Sequence, residues 1–288
     1  MEEPNFSEGQ LQQLTNTEIF NLVSAPSSHG RSSATRYASG DVFASRGAGP
    51  PPMGIPILIT PWLESLLGWD TAFWFPWLGV PHTDPDQMGC NFFIQYKLSD
   101  RHESRYAKGW KHWQQPFLRF HLGYRRRQRW DYSQRNALER LSSSGFRVVY
   151  VTNHVLDSTD LFNLATADRL CTELPVLRVV PGLTRHGYVT FVPTGANFIL
   201  HSKKEPVEVT HLKPLINSLE PSTLTEDFPK LVKVIKSFEE EACIRENGYT
   251  AALQRLPEVR AEDKGVQAML LGIFLRRYFD VFWWRFKR

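Results

Sequence analysis

Two long apolar segments constrain the fold of this chain more than any other feature. CNFFIQYKL begins at Cys90 and FRVVYVTN begins at Phe146, and both are rich in the aromatic and β-branched residues that favour strands. The second segment is a continuous apolar run, which is typical of a buried strand. Between the two, Asp131 or Ser133 can cap a helix that ends near Gly145. The chain is therefore expected to place buried strands next to helices.

The remaining segments extend this alternation of strands and helices. TAFWF, which follows Asp70, predicts a strand that pairs with CNFFIQYKL through a long hairpin loop rich in Gly, Pro and Asp. Leu118, Phe120 and Leu122 alternate with other residues as in a further strand. VLRVV and GYVTFV are typical of the final strands of the sheet. This order of elements predicts an α/β fold with one mixed central sheet flanked by helices.

Composition excludes several classes of protein. With 42% hydrophobic and 22% charged residues among 288, the chain has the composition of an average globular protein. Its three cysteines are widely separated and build neither a disulfide framework nor a paired-cysteine metal site, which favours a reducing, cytoplasmic setting. The acidic, polar N-terminus does not resemble a signal peptide. Charged residues interrupt the longest apolar run, so no transmembrane segment is expected.

The chain divides into three predicted parts. Residues 24–54 are rich in Ser, Gly, Pro and Arg and cannot bury enough apolar surface to fold alone, so they predict a flexible linker. The C-terminal third contains two segments with helical spacing, 228–241 and 266–285. The second has a basic side and predicts either a helix packed on the core or a helix that docks on a protein partner or on a membrane surface. The expected parts are 1–54, the N-terminal arm and linker; 55–205, the α/β core; and 206–288, a helical C-terminal extension.

A basic stretch indicates a phosphate-rich partner. Residues 97–135 contain eleven Lys and Arg but only three Asp and Glu, whereas the whole chain has a formal charge of +4. Within this stretch, YRRRQRW combines four arginines with flanking aromatic residues, a composition suited to phosphate contacts and base stacking. A solvated hairpin tip is the alternative interpretation.

Four residues in and before the predicted strands TAFWF and CNFFIQYKL have the chemistry of a phosphodiesterase site. Such a site needs carboxylates and other oxygen ligands for a divalent cation, and a positive group that offsets the charge of the reacting phosphate. Gln95 and Lys97 are two apart and leave the same face of their strand. Asp70 opens the preceding strand, and Glu64 lies on the predicted helix before it. If the strands pair, these side chains converge.

At these residues the chain resembles the PD-(D/E)xK nuclease superfamily. Its members have a helix with an optional Glu, a strand that starts with Asp and a strand that ends in (D/E/Q)xK, and Glu64, Asp70, Gln95 and Lys97 occupy those positions. The version with Gln is similar to Mrr-type restriction endonucleases and related bacterial defence proteins. The likeness covers about residues 57–192 and implies a restriction-endonuclease-like fold.

The resemblance also implies roles for individual residues. Asp70 would bind Mg²⁺, or Mn²⁺ in its place, with help from Gln95 and the carbonyl oxygen of Tyr96. Lys97 would position or activate the attacking water and offset the charge of the scissile phosphate. Gln134, on the helix after the basic stretch, lies where such folds often add a residue next to the metal. The candidate nucleic-acid contacts are Arg125, Arg126, Arg127, Arg129, Gln134 and Arg135.

Three functional hypotheses follow from the sequence. The first is a metal-dependent endonuclease that hydrolyses DNA phosphodiesters, in anti-phage defence or restriction. The second is a nucleic-acid-binding or assembly subunit with the same fold and weak or no catalysis, because Gln95 replaces the more common acid and a neutral amide holds Mg²⁺ more weakly than a carboxylate does. The third is a partner-docking protein organised by the helix predicted at 266–285.

Overall fold

The computed structural model describes residues 1–24, 56–58, 71–73, 89–126, 129–131, 133–180, 182–183, 186–201, 205–241, 275 and 281–287. The helices in these residues are α1 (Glu8–Ser24), α2 (Trp110–Trp113), α3 (Ser133–Ser143), α4 (Ser158–Thr166), α5 (Leu170–Glu173), α6 (Leu212–Asn217) and α7 (Leu224–Glu241). The strands are β1 (Pro56–Leu58), β2 (Thr71–Phe73), β3 (Gly89–Lys97), β4 (Asp100–His102), β5 (Phe117–His121), β6 (Tyr124–Arg126), β7 (Arg129–Asp131), β8 (Arg147–Thr152), β9 (Val176–Arg178), β10 (Tyr188–Phe191), β11 (Asn197–His201), β12 (Glu205–Glu208) and β13 (Phe282–Lys287). None of the helices in this part of the chain is long and apolar enough to cross a lipid bilayer.

Four strands form the central sheet, in the order β13-β3-β8-β9. The two apolar segments are the inner strands β3 and β8, and they run parallel, with Gln95 beside Tyr150 and Lys97 beside Thr152. The outer strands β13 and β9 are antiparallel to their neighbours. Because parallel strands need a crossover connection, the helix predicted between the two segments is part of that connection, as α3. The buried strands and the mixed sheet are confirmed.

The two faces of the central sheet pack against different layers. On one face Phe92, Ile94 and Tyr96 of β3 share a core cluster with apolar residues of α1, α4, α5 and α6. On the other face Phe93 shares a cluster with α3, α7 and a second sheet. Side chains alternate along a strand, so Gln95 and Lys97 lie on the same face as Phe93. The candidate residues of β3 therefore point toward α3.

The second sheet is antiparallel throughout, in the order β12-β11-β10-β5-β4. Its inward face contributes Leu118, Phe120, Val189 and Phe198 to the core beneath the central sheet. The prediction of a single sheet is wrong in this respect, since VLRVV forms β9 of the central sheet whereas GYVTFV forms β10 of the second. Both segments have a similar local pattern of apolar residues. They belong to different sheets because they pair with different strands.

The predicted pairing of the strand after Asp70 with β3 is also wrong. β2 pairs with β1, with Ala72 opposite Ile57, and β13 and β8 together take both edges of β3 from Phe92 to Ile94. Each of those neighbours pairs with six residues of β3, which is more than the three-residue β2 can offer. Pairing length therefore decides against the hairpin.

The end of the chain is a strand rather than the end of a helix. β13 lies antiparallel to β3, from Phe282 opposite Ile94 to Lys287 opposite Gly89. The helix predicted at 266–285 is therefore wrong for its last four residues; residues 266–274 and 276–280 lie outside the described residues. Aromatic side chains favour strands that pack on a sheet, and Trp283 is stacked on Phe93 with ring centroids 5.8 Å apart.

Candidate functional site

The carboxyl end of β3 carries the candidate residues. β13 pairs with β3 only as far as Ile94, whereas β8 continues alongside Gln95, Tyr96 and Lys97. On the side away from β8, no strand among the described residues pairs with these three residues. Among the described residues, the end of β3 is therefore paired along one edge only.

Lys97 is buried, and none of the described carboxylates pairs with it. Its side chain is 9% exposed, and Nζ donates a hydrogen bond to Oε1 of Gln134 over 3.1 Å. Gln134 lies in the first turn of α3, which packs on this face of the sheet. Burial lowers the pKa of Lys97, and the charge of Glu8 partly opposes that shift. No described Asp or Glu forms an ion pair with Lys97 within 4.0 Å.

Gln95 and Tyr96 supply the oxygen atoms that were predicted as metal ligands. Gln95 is fully buried, and its Nε2 donates a hydrogen bond to the Tyr96 carbonyl over 3.3 Å. The ring of Tyr96 lies on the opposite face, where its hydroxyl donates to Oδ1 of Asn16 over 2.6 Å. The two oxygens are adjacent, but a cation shared by both requires the Gln95 amide to rotate, because its N–H group faces the carbonyl.

Tyr150 is a polar residue of this region that the sequence did not single out. It lies beside Gln95 on β8 and is fully buried, and its hydroxyl has no hydrogen-bond partner among the described residues. Burial raises the pKa of Tyr150 above its usual value, and Arg135 opposes that rise. The phenol therefore stays protonated and retains a donor. Its one signal in the sequence is that it is the polar ring within the apolar run FRVVYVTN.

The predicted nucleic-acid contacts that the structure describes lie on β6, β7 and α3. Arg135 is 8% exposed, and Nη1 donates to the carbonyl oxygen of His186 over 2.5 Å. It therefore joins α3 to the segment before β10. Arg125, Arg126 and Arg129 belong to the paired strands β6 and β7, as a hairpin tip would, and Arg127 lies outside the described residues.

Both predicted carboxylates, Glu64 and Asp70, lie outside the described residues. Within the part of the chain that the structure describes, no group of three or more His, Cys, Asp or Glu residues is placed to hold a metal ion. Of the six core candidates, the structure therefore locates Gln95, Tyr96, Lys97 and Gln134. It brings Lys97 and Gln134 into contact, and it places Gln95 on the same face.

Comparison with known proteins adds no family. No protein-family model matches the chain, and no curated protein or solved structure gives a significant match. The function is therefore inferred from the chemistry of Gln95, Tyr96 and Lys97 at the end of β3.

Proposed function

We propose that this protein is a metal-dependent endonuclease that hydrolyses DNA phosphodiesters. The observation that carries the proposal is the buried amine of Lys97, which donates a hydrogen bond to the neutral Gln134 and forms no ion pair with a carboxylate among the described residues. A buried cation is stable only with a partner of opposite charge. An amine without such a partner either stays neutral and accepts protons, or binds an anion such as a phosphate. Both states are useful in phosphodiester hydrolysis.

The oxygen atoms on β3 fit a divalent cation in a supporting role. Mg²⁺ prefers oxygen ligands and needs carboxylates for tight binding, whereas Gln95 Oε1 and the Tyr96 carbonyl are both neutral. In the proposal Asp70 and Glu64 supply the negative charge, and Gln95 and Tyr96 complete the ligand set. When bound, Mg²⁺ or Mn²⁺ would neutralise charge that develops on the phosphate.

Lys97 has two roles in the proposed reaction. Burial lowers the pKa of Lys97 and so favours the neutral amine, which in the proposal accepts a proton from the attacking water. Once protonated, the ammonium group lies where it offsets the charge of the phosphate. Gln134 keeps Nζ on this face of the sheet in either state, because an amide oxygen accepts a hydrogen bond without fixing the charge of the donor.

The test is a cleavage assay on plasmid and linear DNA with Mg²⁺ or Mn²⁺. Lys97→Ala should lower the cleavage rate by about 100-fold or more, which is the usual contribution of a general base. Asp70→Ala should have an effect at least as large. Lys97→Arg separates the two roles, because arginine keeps the charge but does not deprotonate. Cleavage retained in Lys97→Arg would indicate that the charge is what matters.

Lys111→Ala is the matched control, because Lys111 is exposed on α2 and its removal changes the net charge equally. Its cleavage rate should stay within about twofold of the parent, as expected for a surface substitution. Metal-dependent cleavage that is unchanged in both Lys97→Ala and Asp70→Ala would overturn the proposed site. Far-UV circular dichroism shows whether each variant is folded.

A second candidate function is a DNA-binding subunit that retains the fold without efficient catalysis. The candidate metal ligands on β3 favour this second function because both are neutral. In addition, Gln95 donates an N–H group to the Tyr96 carbonyl oxygen that a cation would need. Calorimetry distinguishes the two functions. Binding of a DNA duplex without measurable binding of Mg²⁺ or Mn²⁺, and without cleavage, would support the subunit.

A further inference from the structure

The outward face of the second sheet carries a cluster of basic and aromatic side chains that the proposed nuclease site does not use. The strand register places Asp100 opposite Arg119, and Arg119 opposite Thr190. One step further along the same face, His121 lies opposite Tyr188, and Tyr188 lies opposite His201. His102 is at the other end of the row, opposite Phe117. We call this set of residues the polar face.

Arg119 is at the centre of the polar face and has no oxygen partner among the residues that the structure describes. Its Nε is buried and makes no hydrogen bond to any described residue. The contacts of its guanidinium group are the Met1 sulfur, 4.0 Å from Nη2, and the ring of Tyr188, 5.8 Å from Cζ. No described carboxylate forms an ion pair with it. Because arginine carries five N–H donors and stays charged, this arrangement leaves most of its hydrogen-bonding capacity unused.

Two imidazoles flank this guanidinium group. His102 is 7% exposed, and its Nε2 is buried without a hydrogen-bond partner among the described residues. Burial, reinforced by the charge of Arg119, lowers the pKa of both His102 and His121 to about 4. Along β5, Arg119 lies between Phe117, which is opposite His102, and His121, so the three polar side chains follow one another on the same face. Arg119 and His102 each have a buried nitrogen without a hydrogen-bond partner among the described residues, and N–H donors of this kind suit an anion.

Aromatic and hydroxyl groups fix the far side of the polar face. Tyr188 and His201 are stacked, with ring centroids 4.5 Å apart and planes 11° apart. Thr190 lies 2.7 Å from Nε2 of His201 and accepts a hydrogen bond from Nε1 of Trp113 over 2.9 Å. These contacts hold the rings in place before any ligand binds, and a site whose groups are already ordered binds with a smaller entropic cost.

The acidic neighbours do not neutralise the cluster. Asp100 is opposite Arg119 on the next strand, yet the two do not come within ion-pair distance. Burial, with a contribution from Glu3, raises the pKa of the Asp100 carboxyl, and Arg119 opposes that rise. Asp100 therefore lowers the positive potential of the polar face without occupying the N–H groups of Arg119.

We propose that the polar face binds a phosphate group, held by the guanidinium group of Arg119 and the imidazole N–H group of His102. The planar fork of arginine matches the geometry of phosphate oxygens, and charge-assisted hydrogen bonds of this kind are stronger than neutral ones. Arg119, His121 and Tyr188 are half-buried, so solvent reaches the cluster. The proposal does not depend on the nuclease function, because it uses a different sheet and different residues.

The test is calorimetric titration of the full chain with inorganic phosphate at low ionic strength. Saturable binding is expected. Arg119→Gln should weaken it about tenfold or more, because it removes a charged hydrogen-bond partner, and Arg119→Lys should give an intermediate affinity, because lysine keeps the charge but loses the fork. The matched control is Arg101→Gln on the neighbouring strand, since Arg101 is already paired with Glu103 over 3.1 Å.

Each outcome of this titration supports or overturns the proposal that the polar face binds phosphate. Phosphate binding that stays within twofold of the parent in Arg101→Gln, but is lost in a folded Arg119→Gln protein, supports it. Loss in Lys97→Met with no change in Arg119→Gln would assign phosphate to the end of β3 and overturn the proposal. Absence of saturable binding to the parent would also overturn it. Thermal melts establish that each variant is folded.

Two further arms identify the source of the phosphate. Titration with adenosine monophosphate tests a free nucleotide, and titration with a short single-stranded oligonucleotide tests a nucleic-acid backbone. Tighter binding of the oligonucleotide, with a steep decrease as salt is raised, indicates the backbone. Tighter binding of the mononucleotide, with a shallow dependence on salt, indicates a free nucleotide. In either case the proposal requires that Arg119→Gln weaken the preferred ligand.

Discussion

At the scale of single residues, the histidines of the polar face make stability depend on pH. The pKa values of His102 and His121 are lowered from 6.5 to about 4. Between those values the unfolded chain binds protons that the folded protein does not, so the free energy of unfolding should decrease as pH falls through this window. Urea denaturation at pH 7, 5.5 and 4.5 measures the effect. His121→Gln should flatten the decrease, whereas His112→Gln, at an exposed position on α2, should not. An equal slope in all three proteins would contradict the environment assigned to His121.

For single residues, the sequence predicts which side chains share one face of a strand, but not which residues of other elements they contact. Gln95 and Lys97 were predicted to share one face because strand periodicity is a local property, and the Lys97 contact with α3 is consistent with that face. The partner of Lys97 depends on where α3 crosses the sheet, which no spacing in the sequence encodes. The polar face was missed for the same reason. Asp100, Arg119 and Thr190 come from three strands, and they meet only through pairing.

At the scale of elements, a glutamate of α1 caps the short helix α5. Glu18 is buried, and its two carboxylate oxygens accept hydrogen bonds from the backbone N–H groups of Leu170 and Cys171, each over 2.8 Å. Glu18→Ala leaves both donors buried without a partner and should lower the free energy of unfolding by about 2–4 kcal/mol. Burial raises the pKa of Glu18, and these hydrogen bonds oppose the rise. The neutral Glu18→Gln should therefore lower the free energy of unfolding by less than Glu18→Ala does. Denaturant titration measures both.

The control for this cap is Gln13→Ala, which makes an equivalent truncation on the exposed side of α1. It should change the free energy of unfolding by no more than about 0.5 kcal/mol. Equal losses in Glu18→Ala and Gln13→Ala would show that the cap contributes nothing. The cap also explains why the predicted N-terminal arm is attached to the core, since α1 and α5 contribute to one apolar cluster.

Elements with a strong local pattern were predicted from the sequence, and those defined by a distant partner were not. α3 and β8 follow from capping and apolar residues within their own segments. β13 was predicted to be helical because its aromatic residues satisfy a helical spacing as well as a strand. What decides the matter is contact with β3, seen in the hydrogen bond from Trp283 Nε1 to Oδ1 of Asn91, 192 positions away. Local periodicity contains no information about such a pair.

At the scale of the whole molecule, β13 joins the end of the chain to the central sheet. Asn91 accepts from Trp283 and donates to Asp227 of α7, and Ser222 donates to the same carboxylate. This buried network links β3, β13 and α7. Since β3 also lies between the two apolar clusters, loss of β13 should destabilise the packing on both faces of the sheet.

Replacing Trp283 tests this link. The side chain is 2% exposed and stacks on Phe93, so Trp283→Ala should lower the free energy of unfolding by about 3–5 kcal/mol, as for other buried aromatic residues. Trp283→Phe keeps a ring in the stack but loses the N–H donor, and should cost about 1–3 kcal/mol because the hydrogen bond from Trp283 to Oδ1 of Asn91 is lost. Phe162→Ala, at a position that is 54% exposed, is the matched truncation and should cost far less. If Trp283→Ala and Phe162→Ala unfold at the same denaturant concentration, β13 does not occupy the edge of β3 in solution. If only Trp283→Ala is destabilised, and its secondary structure and aromatic signals are lost in one transition, the end of the chain is part of the cooperative core.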